Sequence, residues 1–214
     1  MLGLKIKEML HYEILDKKRS KILFLFKAFK KDFYLAGGTG LALQIGHRDS
    51  LDFDFFSSKD FDTKMLFSKV KDIFKDFKIV KTQESKNTLS IIIDDSIKVS
   101  FFTYRYKLIK KLIKTDYFNI ASIEDIGCMK LSAIVSRATN KDYIDIYFII
   151  KIISLESLLI STKKKFLDID ENLILKSLVY FEDVEKNPIR FRNNNNISFP
   201  EVKAFLKKNV LSIK

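Results

Sequence analysis

Asp52 and Asp54 stand two residues apart in the string L-D-F-D-F-F, interleaved with Leu51, Phe53 and Phe55. Alternate side chains of a strand share a face, so the spacing sets both carboxylates side by side and the apolar residues opposite. Such a pair repels itself unless a cation sits between the oxygens. Mg²⁺ (or Mn²⁺) suits the pair, because a hard ion takes oxygen ligands and completes its shell with substrate phosphates. Upstream, Gly37-Gly38 permits a sharp turn and close approach of backbone to a ligand. Thr39 then opens a short helical pattern whose free N–H groups and positive dipole end favour an anion. Together these residues describe a phosphate cradle facing a metal clamp.

The elements that must position them follow one order from Phe33 to Ser57. An apolar strand, F-Y-L-A, runs into the glycine turn, a helix follows, and a second strand carries the aspartates. Singly, each piece is ordinary: a glycine pair marks many turns, and D-x-D marks many solvated strand faces. In this order, G-G-T followed by D-x-D resembles the opening motif of the DNA polymerase β-like nucleotidyltransferase superfamily. The fuller string G-G-T-G-L-A-L-Q-I-G-H-R-D-S-L-D-F-D-F-F resembles the AbiEii/AbiGii toxin branch of type IV toxin–antitoxin and abortive-infection systems.

The resemblance implies an α+β fold: a nucleotidyltransferase-type mixed sheet with flanking helices, followed by a C-terminal helical bundle. It implies Mg²⁺-dependent transfer of a nucleoside monophosphate from a nucleoside triphosphate to an acceptor, with RNA or tRNA leading and a cognate antitoxin as partner. Asp52 and Asp54 would hold the metal, and Gly37, Gly38 and Thr39 the triphosphate. The family's later motif, E-D-x-x-x-x-K followed by R-x-x-x-K/R-D-x-x-D, maps its lysine to Lys130 and its acid to Asp142 or Asp145. Helical spacing puts Lys130, Ile134 and Arg137 on one side, so Arg137 joins Lys130 in neutralising phosphate. The alternative is structural: an Arg137–Asp145 or Lys130–Asp142 ion pair stapling two helices. Arg48 would contact a phosphate or brace the aspartates, and His47 reads as a hydrogen-bonding loop residue. Ser50, two before Asp52, shares its face, and a phosphate added there would crowd the metal ligands with negative charge.

One position departs from the pattern. Many nucleotidyltransferases carry a third carboxylate on the strand beside D-x-D, and the comparable strand, I-K-V-S-F-F-T-Y, offers Ser100. This keeps open a catalytically weak or inactive nucleotide- or RNA-binding module, and a small-molecule, antibiotic-type nucleotidyltransferase is the other alternative.

The 214-residue chain is 47% hydrophobic and carries a net charge of +12. It has material for a sizeable core and a basic surface suited to RNA, nucleotide or an acidic partner. A single cysteine, Cys128, excludes an internal disulfide. The apolar stretch 143–160 is interrupted by Asp145, Lys151 and Glu156, so a membrane span is not expected and a cytoplasmic location is.

Periodicity predicts helix from Leu4 to Lys31 with a break near Asp16, then helix over 61–77 and three strands at 79–83, 88–93 and 97–104. The basic run 105–114 reads as a connector helix or extended linker, and a domain boundary falls near 115, dividing 1–115 from 116–214. Ser122 and Thr139-Asn140 bound successive helices, and 155–166, 171–185 and 201–211 complete a bundle. The Asn193–Asn196 run reads as a flexible loop, and Lys163, Lys164, Lys165, Arg190 and Arg192 as surface cations able to meet a phosphate backbone.

Overall fold

A computed structural model describes residues 10–137 and 139–213; the helix expected from Leu4 lies outside them as far as Met9. The architecture is α+β. Seven strands form one mixed sheet: β1 (Tyr34–Ala36), β2 (Phe53–Ser57), β3 (Ile79–Ser85), β4 (Thr88–Ile93), β5 (Ile97–Thr103), β6 (Ile113–Lys114) and β7 (Asn119–Ile120), in the order β3-β4-β5-β2-β1-β7-β6. The meander β3 to β5 is antiparallel, β5 lies parallel to β2, and β2 is antiparallel to β1.

Strand alternation separates two cores. Leu35, Phe53 and Phe55 point to the face covered by N-terminal helical turns and α3 (Thr63–Ile73), where Phe26 packs on Phe53 and Phe55 at ring distances of 4.8 and 5.0 Å. Tyr34 and Ala36 point the other way, toward α4 (Ile123–Ser136), α5 (Asn140–Ile150), α6 (Leu155–Lys165), α7 (Glu171–Val179) and α8 (Phe199–Leu211). Among the described residues no helix is long and apolar enough to cross a membrane.

Several expected elements are corrected. After the Asp16 cap, α1 (Lys17–Ile22) gives way to a 3-10 segment over Leu23–Phe29 in place of continued α-helix. Leu23, Phe26 and Phe29 recur every third residue, the 3-10 repeat, and all three are buried. Of the two readings of the basic run, connector helix and extended linker, the helix is excluded over 105–112. The buried Asp125 carboxylate, paired with Lys165 at 2.8 Å, accepts the N–H groups of Ile109 and Lys110 at 2.8 and 3.1 Å and holds that stretch open. Lys165 is therefore removed from the surface cations. Helix α7 stops at Val179, short of Glu185, because Tyr180 turns extended and its carbonyl accepts the Tyr143 hydroxyl at 2.7 Å. The asparagine run lies in a loop, as expected; within it Asn193 and Asn194 take φ of 51° and 57°, a region asparagine tolerates, and Asn193 donates to the Gly46 carbonyl.

Candidate active site

Helix α2 (Gly37–Ile45) leaves β1 through Gly37, whose φ of +65° is a left-handed conformation suited to glycine. The turn places Gly37 against the carboxylate on the next strand. A Cβ at Gly37 would lie 3.0 Å from Asp54 Oδ2. Asp54 sits on β2, whereas Asp52 lies one residue before the strand begins and is more exposed, so β2 carries one of the two acids expected on it. Burial, then the neighbouring Asp52 charge, raises the Asp54 pKa, only partly offset by Lys98, Lys130 and Arg137. A hard divalent ion that binds through two carboxylates plus substrate phosphates fits this pair. Among the described residues no cluster of three or more potential ligands occurs.

The carboxylates stand where two lobes of one cleft meet, cavities of about 890 Å³ and 610 Å³. Both lobes share Gly38, Asp52, Asp54, Lys98, Lys130, Arg137 and Asp142. The larger adds Arg48, Ser50, Lys141, Glu185, Arg190 and Arg192. Thr39 is buried, its hydroxyl donating to the Asp52 carbonyl and accepting from the Ser50 hydroxyl at 2.8 Å. Its side chain therefore fixes the loop that carries Ser50 and Asp52.

Behind the cleft wall, Asp145 is fully buried and tightly partnered. Arg48 donates to both its oxygens from Nε and Nη2 at 2.8 Å, Lys130 lies 2.7 Å from Oδ2, and His47 Nε2 lies 2.7 Å from Oδ1. Burial opposes the Asp145 charge, yet Arg48 and Lys130 outweigh it and hold its pKa well below the ordinary value. Burial lowers the His47 pKa, so the neutral ring donates from Nε2. Lys130 also donates to Asp142 Oδ1 at 2.7 Å, and Thr139 donates to Asp142 Oδ2 at 2.8 Å. Burial opposes the Lys130 charge as well, but Asp145 and Asp142 raise its pKa on balance.

The helix staple thus forms through Lys130–Asp142 and Lys130–Asp145. Arg137 caps α4 and faces the cleft, while Arg48 supplies the guanidinium at Asp145. Gly38 makes room for it: a Cβ there would meet Arg48 Nη2 at 2.7 Å and Ser50 Oγ at 3.1 Å. Gly38→Ala is expected to dislodge the guanidinium and cost about 1–3 kcal/mol, the range for overpacking, read as a lower Tm; an unchanged Tm would show that Arg48 yields freely.

The segment 185–193 passes over the G-H-R-D-S loop, a contact sequence reading missed. Arg192 and Arg190 pair with Asp49, the Arg192 N–H donates to the His47 carbonyl at 3.0 Å, and Phe191 bridges to Arg48. Lys98, Lys141, Glu185 and Asn187 were likewise not singled out beforehand. Ser100 does sit opposite Asp54 in register, buried, with Ser90 donating to its hydroxyl at 3.1 Å.

The sequence profile of the family described as nucleotidyl transferase AbiEii toxin, type IV TA system, matches residues 21–210. The chain belongs to the AbiEii family. This AbiEii chain is 43% identical over 164 residues to an uncharacterised protein of Aquifex aeolicus (strain VF5), spanning 72% of this chain and 76% of that one. Its fold is similar to that of MenT4, a nucleotidyltransferase toxin of Mycobacterium tuberculosis H37Rv, at a TM-score of 0.60 and 14% identity, covering 91% of this chain and 83% of the other. It is also similar to JHP933 of Helicobacter pylori, at a TM-score of 0.58 and 16% identity, covering 94% and 92%. These likenesses place the sheet and helices of this AbiEii member in the nucleotidyltransferase fold.

Within that fold, Ser50 lines the cleft beside Gly38 and the carboxylates. Ser50→Glu is expected to cut nucleotide affinity at least about tenfold through like-charge repulsion, measured by calorimetry; affinity equal to the parent would contradict it.

Proposed function

We propose that the cleft performs Mg²⁺-dependent nucleotidyl transfer, with a nucleoside triphosphate as donor and RNA, tRNA foremost, as acceptor. The observation that carries the reading is Asp54 set against Gly37 of the glycine turn, with Asp52 lining the same junction of the cleft. An acceptor hydroxyl attacks the α-phosphorus, its proton passes to a base, and pyrophosphate leaves. Asp52 and Asp54 would hold a divalent ion, which would supply positive charge where the phosphate oxygens gain negative charge.

The chain's own residues prepare that step. Lys130 spends two of its three donors on Asp142 and Asp145, leaving one for a phosphate oxygen. Arg137 adds a second cation from the end of the same helix. Asp142 lines the cleft and Asp145 does not, so Asp142 is our choice for the acid that accepts or orients the proton. Asp145 acts through Arg48 and Lys130 as a positioning residue. We also propose the division into a sheet domain, 1–115, and a helical domain, 116–214, that completes the cleft, a cytoplasmic location, and a neutralising antitoxin partner.

Ser100 favours a second reading, a nucleotide-binding protein without catalysis, since a serine bonded to Ser90 supplies no carboxylate. Purified protein, Mg²⁺ and each labelled triphosphate in turn, offered total RNA and an aminoglycoside in parallel, separates the readings. Label entering RNA supports the proposal. Label entering only the aminoglycoside moves the acceptor to a small molecule, and nucleotide binding with no incorporation supports the second reading.

A further inference from the structure

The smaller lobe differs chemically from its neighbour. Apart from the rim residues that both lobes share, every described residue lining it is uncharged, whereas the larger lobe adds Lys141, Glu185, Arg190 and Arg192. Its floor is the sheet itself, and the strand register lays two rows across it. Gln83 aligns with Ser90, Ser90 with Ser100, and Ser100 with Asp54, a polar row that ends at the carboxylate. Two residues further along each strand, Phe102 aligns with Phe56, and Phe56 with Tyr34. Phe56 and Phe102 lie 5.4 Å apart and Phe56 and Tyr104 5.6 Å, all three half-buried and lining the lobe. Met129 and Ala133 of α4 line the same lobe.

An aromatic floor beside a row of hydroxyl and amide groups, with charge only among the residues shared with the larger lobe, matches a nucleoside whose phosphate end lies at the carboxylates. The π face of a base stacks on phenyl rings without regard to sequence, and its polar edge takes hydrogen bonds from groups that both donate and accept. We infer that the smaller lobe is a nucleoside subsite, with Phe102 and Phe56 as the stacking surface and Ser90, Ser100 and Gln83 meeting the base or sugar edge. This deepens the nucleotidyl-transfer reading and rests on it. It also gives Ser100 a role: in place of a third carboxylate, it continues an uncharged floor. The nucleoside belongs to the triphosphate or to the 3′ end of the acceptor, two sources of the same chemistry.

Calorimetry on the full chain with Mg²⁺ distinguishes them, using an α,β-methylene nucleoside triphosphate, inorganic tripolyphosphate, and RNA oligonucleotides with an intact or abasic 3′-terminal nucleotide. Phe102→Ala is the direct variant, and Phe102→Leu keeps apolar bulk on the strand should alanine disturb the fold. Both variants are expected to bind tripolyphosphate like the parent. A roughly tenfold loss for the triphosphate analogue, at the lower end of what base stacking supplies, assigns the subsite to the donor. The same loss for intact but not abasic RNA assigns it to the acceptor. Parental affinity of Phe102→Leu for both nucleoside-bearing probes overturns the inference. A parent that binds neither the analogue nor tripolyphosphate overturns the nucleotidyl-transfer reading beneath it.

Discussion

Asp54→Asn is expected to lower metal-dependent nucleotidyl transfer by roughly a hundredfold to a thousandfold, the order that losing a principal charge-stabilising group from an active site costs. The same substitution should leave the protein at least as stable. Burial and Asp52 together raise the pKa of Asp54, so its charged form is disfavoured in the folded state. A neutral amide of equal size relieves that repulsion at neutral pH and makes no difference at acid pH, where the carboxyl is already protonated. Activity and Tm measured on one preparation decide the matter. Lost activity with a maintained or higher Tm identifies a functional acid held against its electrostatic preference. A large fall in Tm would identify a structural one.

Asp145→Ala is expected to behave in the opposite way, destabilising the chain by about 3–5 kcal/mol, the cost of removing one partner from a buried charged network. Arg48 and Lys130 would be left facing each other, with His47 Nε2 deprived of its acceptor. For a chain of this size that corresponds to a Tm fall on the order of 10 °C. The linkage has a definite sign. The Asp145 pKa is depressed in the folded protein, so its contribution is fully present above the unfolded carboxylate value of about 3.9. It is lost only as pH falls through the lower folded value. The stability difference between parent and Asp145→Ala should therefore be constant through neutral pH and shrink only in acid. A difference that vanished near neutrality would mean that Asp145 does not carry the charge that the network requires.

The contrast between these two acids marks what the sequence could disclose. Strand, glycine turn, helix and second strand were legible because each is local: Gly37 and Gly38 announce the turn, and alternation places Asp54 on one face and Phe53 and Phe55 on the other. Ser100 opposite Asp54 was expected from the family pattern of a carboxylate on the strand beside D-x-D; the meander's turns align β4 with β5, while β5 meets β2 in parallel with no turn between them. Arg48 reaching Asp145 was not, since the partners lie 97 residues apart and nothing local distinguishes a phosphate-binding arginine from one held in a buried network. The choice between Asp142 and Asp145 stayed open for the same reason: three residues of helix put both acids on one side, and only packing decides which one reaches the cleft. Arg190 and Arg192 were read only as surface cations because their partner Asp49, like the His47 and Gly46 carbonyls that the segment 185–193 also bonds, lies more than a hundred residues away in sequence. The 3-10 segment at Leu23–Phe29 was misread because its apolar residues also satisfy a helical stripe.

The proposed chemistry requires Asp52 and Asp54 to hold a divalent ion together with a triphosphate beside the glycine turn. Electron paramagnetic resonance of Mn²⁺, titrated into the protein with and without an α,β-methylene nucleoside triphosphate, reads this without requiring turnover. Weak binding of Mn²⁺ alone, marked tightening when the nucleotide is added, and loss of both in the Asp52→Asn, Asp54→Asn double variant is the result expected. Equal Mn²⁺ binding by parent and double variant, with nucleotide making no difference to either, would contradict it.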